Sequence, residues 1–268
     1  MSDTPPPNPG AEMSATAVLR WYVAAGVDLA VGEEPIDRTQ APPPQAQMPA
    51  SPQAEIPARA APAPFVPQTP GPAADPATAQ TLDELKQRLE AFEGCLLRRT
   101  ATRTVFGDGP ATARLMVIGE APGADEDRSG VPFVGKAGQL LNKMLASIGW
   151  PRETVYITNV VPWRPPGNRN PTPEEVTLCQ PFVMRAIDLV APDAVVLLGA
   201  SATAAICDRH DGITRLRGKW QTLSRNGREI PVLPTFHPAF LLRFPDKKAL
   251  VWRDLCALKA RIGEPPEA

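Results

Sequence analysis

No stretch of about 18 consecutive apolar residues, the length a membrane-spanning helix needs, occurs in these 268 residues. Nothing in the chain is therefore expected to enter or cross a membrane. A basic region followed by an apolar run, the mark of a secretory leader, is also missing from the N-terminus. Cysteine is scarce: four residues, at 95, 179, 207 and 256, with no close pair among them. That excludes a dense disulfide framework and fits a reducing cytosol, so a cytoplasmic location is expected.

Proline, by contrast, is abundant and unevenly placed. Half of the 34 prolines fall in the first 80 residues. Pro35 to Ala79 is built almost wholly from Pro, Ala, Gln, Thr and acidic residues, with few aliphatic side chains and no hydrophobic period. Such a segment buries too little apolar surface to offset its ordering entropy, so residues 35–80 read as a disordered, partly polyproline-type linker. Ahead of it, within a segment 1–34, Ala15 to Ala30 reads as a short amphipathic helix with Val18, Leu19, Tyr22, Val23 and Val27 near one face. It either docks back onto the following domain or binds a partner protein, and docking is the preferred reading. Residues 81–268 read as one folded domain. Charge divides the same way: 3 basic and 8 acidic residues precede position 81, and 25 basic and 21 acidic residues follow. A mildly basic domain is compatible with a phosphate-bearing partner and equally with an ordinary soluble surface.

Thr81, with Glu84 three residues on, has capping-box spacing and predicts a helix from Leu82 to about Gly94. Apolar runs at Leu115–Ile118, Val155–Val161, Ala194–Leu198 and Ile230–Pro234 predict four buried strands. Helices are predicted at Gly138–Gly149, from Thr172 to about Val190, at Ser201–Cys207 and at Lys247–Ile262. Alternating elements of this kind predict an α/β fold: a three-layer α/β/α domain on a four-stranded parallel sheet. Ligands in such folds lie beyond the carboxyl ends of the strands, so the loops after the first, second and fourth strands carry the interest.

The first of these loops contains Gly119-Glu120-Ala121-Pro122-Gly123, followed by Glu126. It lacks the Gly-x-Gly-x-x-Gly dinucleotide fingerprint and the Gly-Lys-Ser/Thr of a P-loop. Downstream, Phe133 sits between Pro132 and a glycine-rich stretch, either as a core residue or as a planar face for an aromatic ring. Asn159 closes the second strand, where its amide either caps a turn or reads a base edge through paired donor and acceptor. After the fourth strand comes Thr235-Phe236-His237-Pro238-Ala239-Phe240-Leu241-Leu242-Arg243. His237 is one of only two histidines; the other, His210, lies in a polar turn. The apolar tip beside Arg243 suits either a buried helix start or a wedge pushed into DNA.

Four ordered segments, GEAPGADED, GVPFVGKAGQLL, TNVVPWRPPGNRNPTPEE and PTFHPAFLLR, together resemble the family 4 uracil-DNA glycosylases over roughly residues 90 to 260. The resemblance implies hydrolysis of the N-glycosidic bond of uracil in DNA, with the nucleotide flipped into a pocket and an abasic site left behind. It implies that Phe133 stacks on uracil, Asn159 bonds its N3/O4 edge and His237 bonds O2. Glu120, with the backbone of Gly119 and Ala121, would activate the attacking water, and Glu126 would crowd the C5 side against thymine. Leu241 and Leu242 would fill the gap left by the flipped base, with Arg243 near the backbone. No Schiff base, strand-cutting lyase step or covalent DNA adduct is expected. The partner is uracil-containing DNA, and the chain is expected to act as a monomer.

The resemblance breaks at one place. The family carries a four-iron, four-sulfur cluster on four cysteines, but here only Cys95 and Cys179 match, and Phe92 and Trp163 stand at the other two positions. Two thiolates do not hold such a cluster in the usual way, so no cofactor and no metal is expected, with Phe92 and Trp163 packing in its place. Two competing readings remain open: a weakly catalytic or non-catalytic binder of uracil-containing or damaged DNA, and a hydrolase of free nucleotides.

Overall fold

The computed structural model describes residues 75–265. The amphipathic helix expected at 15–30 and nearly all of the expected linker lie outside the described residues. The last residues of that linker range are folded, however. Asp75 caps a 3-10 turn at Pro76–Thr78, and Ala79 is buried, its carbonyl accepting a 2.9 Å bond from Arg185 Nε.

Four strands, β1 (Leu115–Gly119), β2 (Val155–Asn159), β3 (Ala194–Leu198) and β5 (Arg228–Thr235), pair in parallel as expected. A fifth, β4 (Gln221–Arg225), extends the sheet as an antiparallel edge, so the order is β2-β1-β3-β5-β4 and the expected four-stranded sheet has five strands. Its hairpin turn, Asn226-Gly227, holds both residues at positive φ, the geometry that matches strand twist.

Helices cover both faces. On one side lie α1 (Leu82–Ala91), the short α2 (Leu97–Thr100), α5 (Pro173–Val190) and α6 (Ala200–Cys207). On the other lie α4 (Lys136–Ser147), the short α8 (Pro238–Arg243) and α9 (Lys248–Ile262); α3 (Ala124–Ser129) and α7 (Ile213–Leu216) are short connectors. Strand alternation divides the core accordingly. Met116 and Ile118 face the cluster that holds Leu85, Leu89 and Phe182, while Leu115 and Val117 face the one that holds Leu145, Leu255 and Leu258. Thr172 caps α5 through a reciprocal box with Glu175, as its sequence predicts.

The topology fixes the ligand position. The connection leaving β1 runs to β2 on one side, and the one leaving β3 runs to the other, reaching the edge strand β4 and returning through its hairpin to β5. This reversal opens a crevice at the carboxyl ends of β1 and β3.

Candidate functional site

A cleft of about 360 Å³ lies at that crevice, inside the range of small-molecule sites of roughly 300–1,000 Å³. Glu120, Ala121, Glu126, Phe133, Asn159 and His237 line it, so side chains from three strand ends and two loops converge there. The loop 165–171, following β2, forms part of its wall with Pro165, Asn168 and Arg169.

Gly119 underlies the convergence. It pairs in register with Asn159 across β1 and β2. A β-carbon at 119 would stand 2.5 Å from Asn159 Oδ1 and 2.5 Å from Phe133 Cζ, so only glycine lets both side chains close over this strand end. Phe133 tilts toward His237 with ring centroids 5.6 Å apart. Its own φ is +54°, a left-handed conformation that costs a bulky residue on the order of 1–3 kcal/mol and persists only where its surroundings enforce it.

Asn159 is 4% exposed, and among the described residues its Oδ1 has no hydrogen-bond partner; Glu120 Oε1 is also buried and unpartnered among them. Such atoms are uncommon in folded proteins, because an unpaired buried acceptor forfeits roughly 1–3 kcal/mol. Both belong to side chains that line the cleft. Burial raises the Glu120 carboxyl above its ordinary range, and the nearby Ser201 hydroxyl opposes the shift. Ser201 lies in the first turn of α6, a helix the sequence predicts without marking this residue as part of a site.

His237 sits at the N-cap of α8, where its Nδ1 accepts the Ala239 N–H at 3.1 Å. That bond places the proton of the neutral ring on Nε2. Burial depresses the imidazole pKa to about 4, so the ring is neutral near pH 7 and Nε2–H is a donor.

Glu126 lines the cleft, yet its carboxylate is committed to backbone. Oε1 accepts from Val134 N and Gly135 N, both at 2.9 Å, and Oε2 from Gly123 N at 3.1 Å. Leu241 departs from expectation more plainly. It is 1% exposed within the α4–α9 core, so it cannot protrude into DNA. The exposed apolar tip consists instead of Leu242 and Phe244, 46% and 47% exposed, with Arg243 between them and also lining the cleft. The helical turn of α8 sets this alternation, carrying residue 241 inward as it carries 242 outward.

The four positions matched to the iron-sulfur ligands also come together. Phe92 and Trp163 are buried with ring centroids 6.5 Å apart, Phe182 packs on Phe92 at 5.2 Å, and Cys95 and Cys179 are buried in the same cluster. Trp163 Nε1 donates to Thr104 Oγ1 at 3.1 Å, which satisfies its polar atom.

Residues 106–256 match the Uracil DNA glycosylase superfamily. A type-4 uracil-DNA glycosylase of Archaeoglobus fulgidus is 43% identical over 170 residues, 62% of this chain and 85% of its own. The type-4 uracil-DNA glycosylase of Thermotoga maritima is 41% identical over 168 residues, 61% of this chain and 84% of its own. The chain belongs to the type-4 uracil-DNA glycosylase family. A type-5 uracil-DNA glycosylase of Pyrobaculum aerophilum is more distant, 33% identical over 146 residues, 49% of this chain and 63% of its own.

For a type-4 family member the cluster position is anomalous. Two of its four side chains are apolar rings that donate nothing to iron, and they fill the space between α1, the end of β2 and α5. The residues present do not fit a four-cysteine cluster.

Proposed function

We propose that this enzyme releases uracil from DNA by hydrolysing its N-glycosidic bond, with the nucleotide flipped into the cleft. The observation that carries the reading is the pair of buried, unpartnered acceptors, Asn159 Oδ1 and Glu120 Oε1, beside the ring of Phe133 and the neutral His237. A flipped uracil meets each need. Its N3–H supplies the donor that Asn159 Oδ1 lacks, and its O4 accepts from the same amide. Cytosine offers an acceptor at N3 and a donor at position 4, which leaves this amide doubly unpaired. Phe133 provides the stacking face.

The chemistry follows from the same groups. Bond cleavage leaves negative charge on the base and positive character on the sugar. His237 Nε2–H donates to uracil O2 and stabilises the leaving anion without itself transferring a charge. Glu120, with the backbone of Gly119 and Ala121, holds and deprotonates the water that attacks the anomeric carbon. To Glu126, which lines the cleft, we assign the crowding of the C5 side of the base that disfavours thymine. Lys136, the lysine within the matched segments, is exposed at the start of α4, and among the described residues no lysine lines the cleft. That supports a monofunctional enzyme that forms no Schiff base and leaves an abasic site. Leu242 and Phe244 take the wedge position that Leu241 leaves, and Arg243 meets phosphate. The packed rings of Phe92 and Trp163 support a domain that folds and works without an iron-sulfur cluster.

The test is release of free uracil from an oligonucleotide with one uracil, in U·G, U·A and single-stranded form. Wild type is expected to release it and His237→Ala to lose most of that rate. Tight binding with no release by wild type would instead make the chain a reader of damaged DNA.

A further inference from the structure

We propose that Arg152 is a positioning residue for the stacking ring of Phe133, acting with Glu126 as a two-sided clamp on a single peptide unit. This rests on the reading of Phe133 given above. Arg152 opens the 3-10 turn before β2 and does not line the cleft; it approaches the Phe133 loop from behind. Its Nη1 donates to the Phe133 carbonyl at 3.0 Å and its Nη2 to the Pro132 carbonyl at 2.7 Å. On the other side, Glu126 Oε1 takes the amides of Val134 and Gly135. The carbonyl and the amide of the peptide bond joining Phe133 to Val134 are thus held by opposite charges. The strained φ of +54° at Phe133 relaxes by turning the preceding peptide plane, whose Pro132 carbonyl Arg152 Nη2 also holds, so the fork braces the backbone on both sides of the ring and keeps it over the strand end.

The guanidinium is itself fixed. Nε and Nη2 donate to Asp108 Oδ2 at 3.1 and 2.7 Å, and Nη1 also reaches Asn142 Oδ1 at 3.2 Å. Asp108 in turn is bridged to β2, giving its N–H to the Ile157 carbonyl at 2.9 Å and accepting the Ile157 N–H at 2.8 Å. The clamp is therefore referenced to the same strand that ends in Asn159, so stacking face and base-reading amide share one frame. A planar fork that serves two carbonyls and a carboxylate together is beyond what an ammonium group reproduces.

The experiment is a double-mutant cycle. Arg152→Gln and Arg152→Lys are each made with Phe133 present and with Phe133→Ala, and single-turnover uracil release is measured beside amide exchange at Val134 and Gly135. Arg152→Gln is expected to slow release roughly ten- to a hundred-fold when Phe133 is present and less than about two-fold in Phe133→Ala, with Arg152→Lys between. Exchange at Val134 and Gly135 should accelerate about ten-fold or more while the strand amides stay protected. The same loss of rate in both backgrounds, or unchanged exchange at these amides, overturns the clamp. Should Arg152→Gln fail to fold, Asp108→Asn frees the guanidinium without removing it and is read in the same way. If wild type releases no uracil, the glycosylase reading falls, and the exchange measurement alone decides the clamp.

Discussion

The ring of Phe133 lies so close over Gly119 that a β-carbon at 119 would stand 2.5 Å from its Cζ. The conflict is between side chains and not within the backbone, since Gly119 is absent from the positive-φ positions. Gly119→Ala therefore folds at a cost of about 1–3 kcal/mol, typical of overpacking. It displaces Phe133 and Asn159 together, and a shift of about 1 Å at such groups lowers rate roughly a hundred-fold. Denaturant unfolding and uracil release, measured on the same preparation, check both halves. Full activity in this variant would remove Phe133 and Asn159 from the base pocket.

The pH dependence has a definite sign. Water activation needs Glu120 ionised, and burial raises its pKa above the ordinary value, so the rate falls as pH drops through that raised value. His237 stays neutral down to about pH 4, so it adds no step near pH 6.5. Glu120→Gln is expected to lower the rate and to abolish the acid limb. Stability moves the other way. A carboxyl whose folded pKa is raised stabilises the fold below its unfolded pKa, and that contribution disappears as pH rises through the folded value. At neutral pH the buried charge is a cost, so Glu120→Gln raises the melting temperature at pH 7 more than at pH 4. An acid limb near pH 6.5 that survives in Glu120→Gln would assign the titration to His237 instead.

The parallel strands and most of the helices are readable from sequence because their cause is local. Ile118 and its neighbours are apolar on both faces, and Thr172 needs only Glu175 three residues away. β4 escapes such reading because Gln221–Arg225 holds a single strongly apolar residue, Leu223, although the Asn226-Gly227 pair that closes its hairpin was a usable signal. Within the site, Gly119, Glu120, Phe133, Asn159 and His237 stand out through their motifs. Arg152 and Ser201 do not, since each acts on atoms far away in the chain: Arg152 on the carbonyls of Pro132 and Phe133, Ser201 on Glu120. Leu241 and Leu242 look alike in the motif, and only the rotation of α8 against the core tells them apart.

That difference is measurable. Leu241→Ala removes a buried side chain and is expected to cost about 2–5 kcal/mol. Leu242→Ala removes an exposed one, with stability unchanged within roughly 0.5 kcal/mol. Its effect should appear in function instead, as weaker binding and slower release on double-stranded uracil-DNA than on single strands, where no stacked gap needs filling. Equal effects on both substrates would show that the Leu242 side chain does not act as a wedge.

The site matched to the cluster inverts the usual hierarchy of residues. In a cluster-bearing fold the cysteines carry the stabilisation, and losing one disrupts the metal group. Here Phe92 and Trp163, 2% and 1% exposed, occupy that space with Phe182. Phe92→Ala should therefore cost about 3–5 kcal/mol, as for other large buried aromatics. Cys95→Ala and Cys179→Ala each delete a single small buried sulfur and should cost no more than about 1–2 kcal/mol. Wild-type protein prepared without oxygen should carry neither stoichiometric iron nor sulfide, and the unfolding midpoints should rank the aromatic variant below both cysteine variants. The reverse ranking, or a cysteine variant that fails to fold while wild type holds iron, would show that two thiolates anchor a cluster despite the rings beside them.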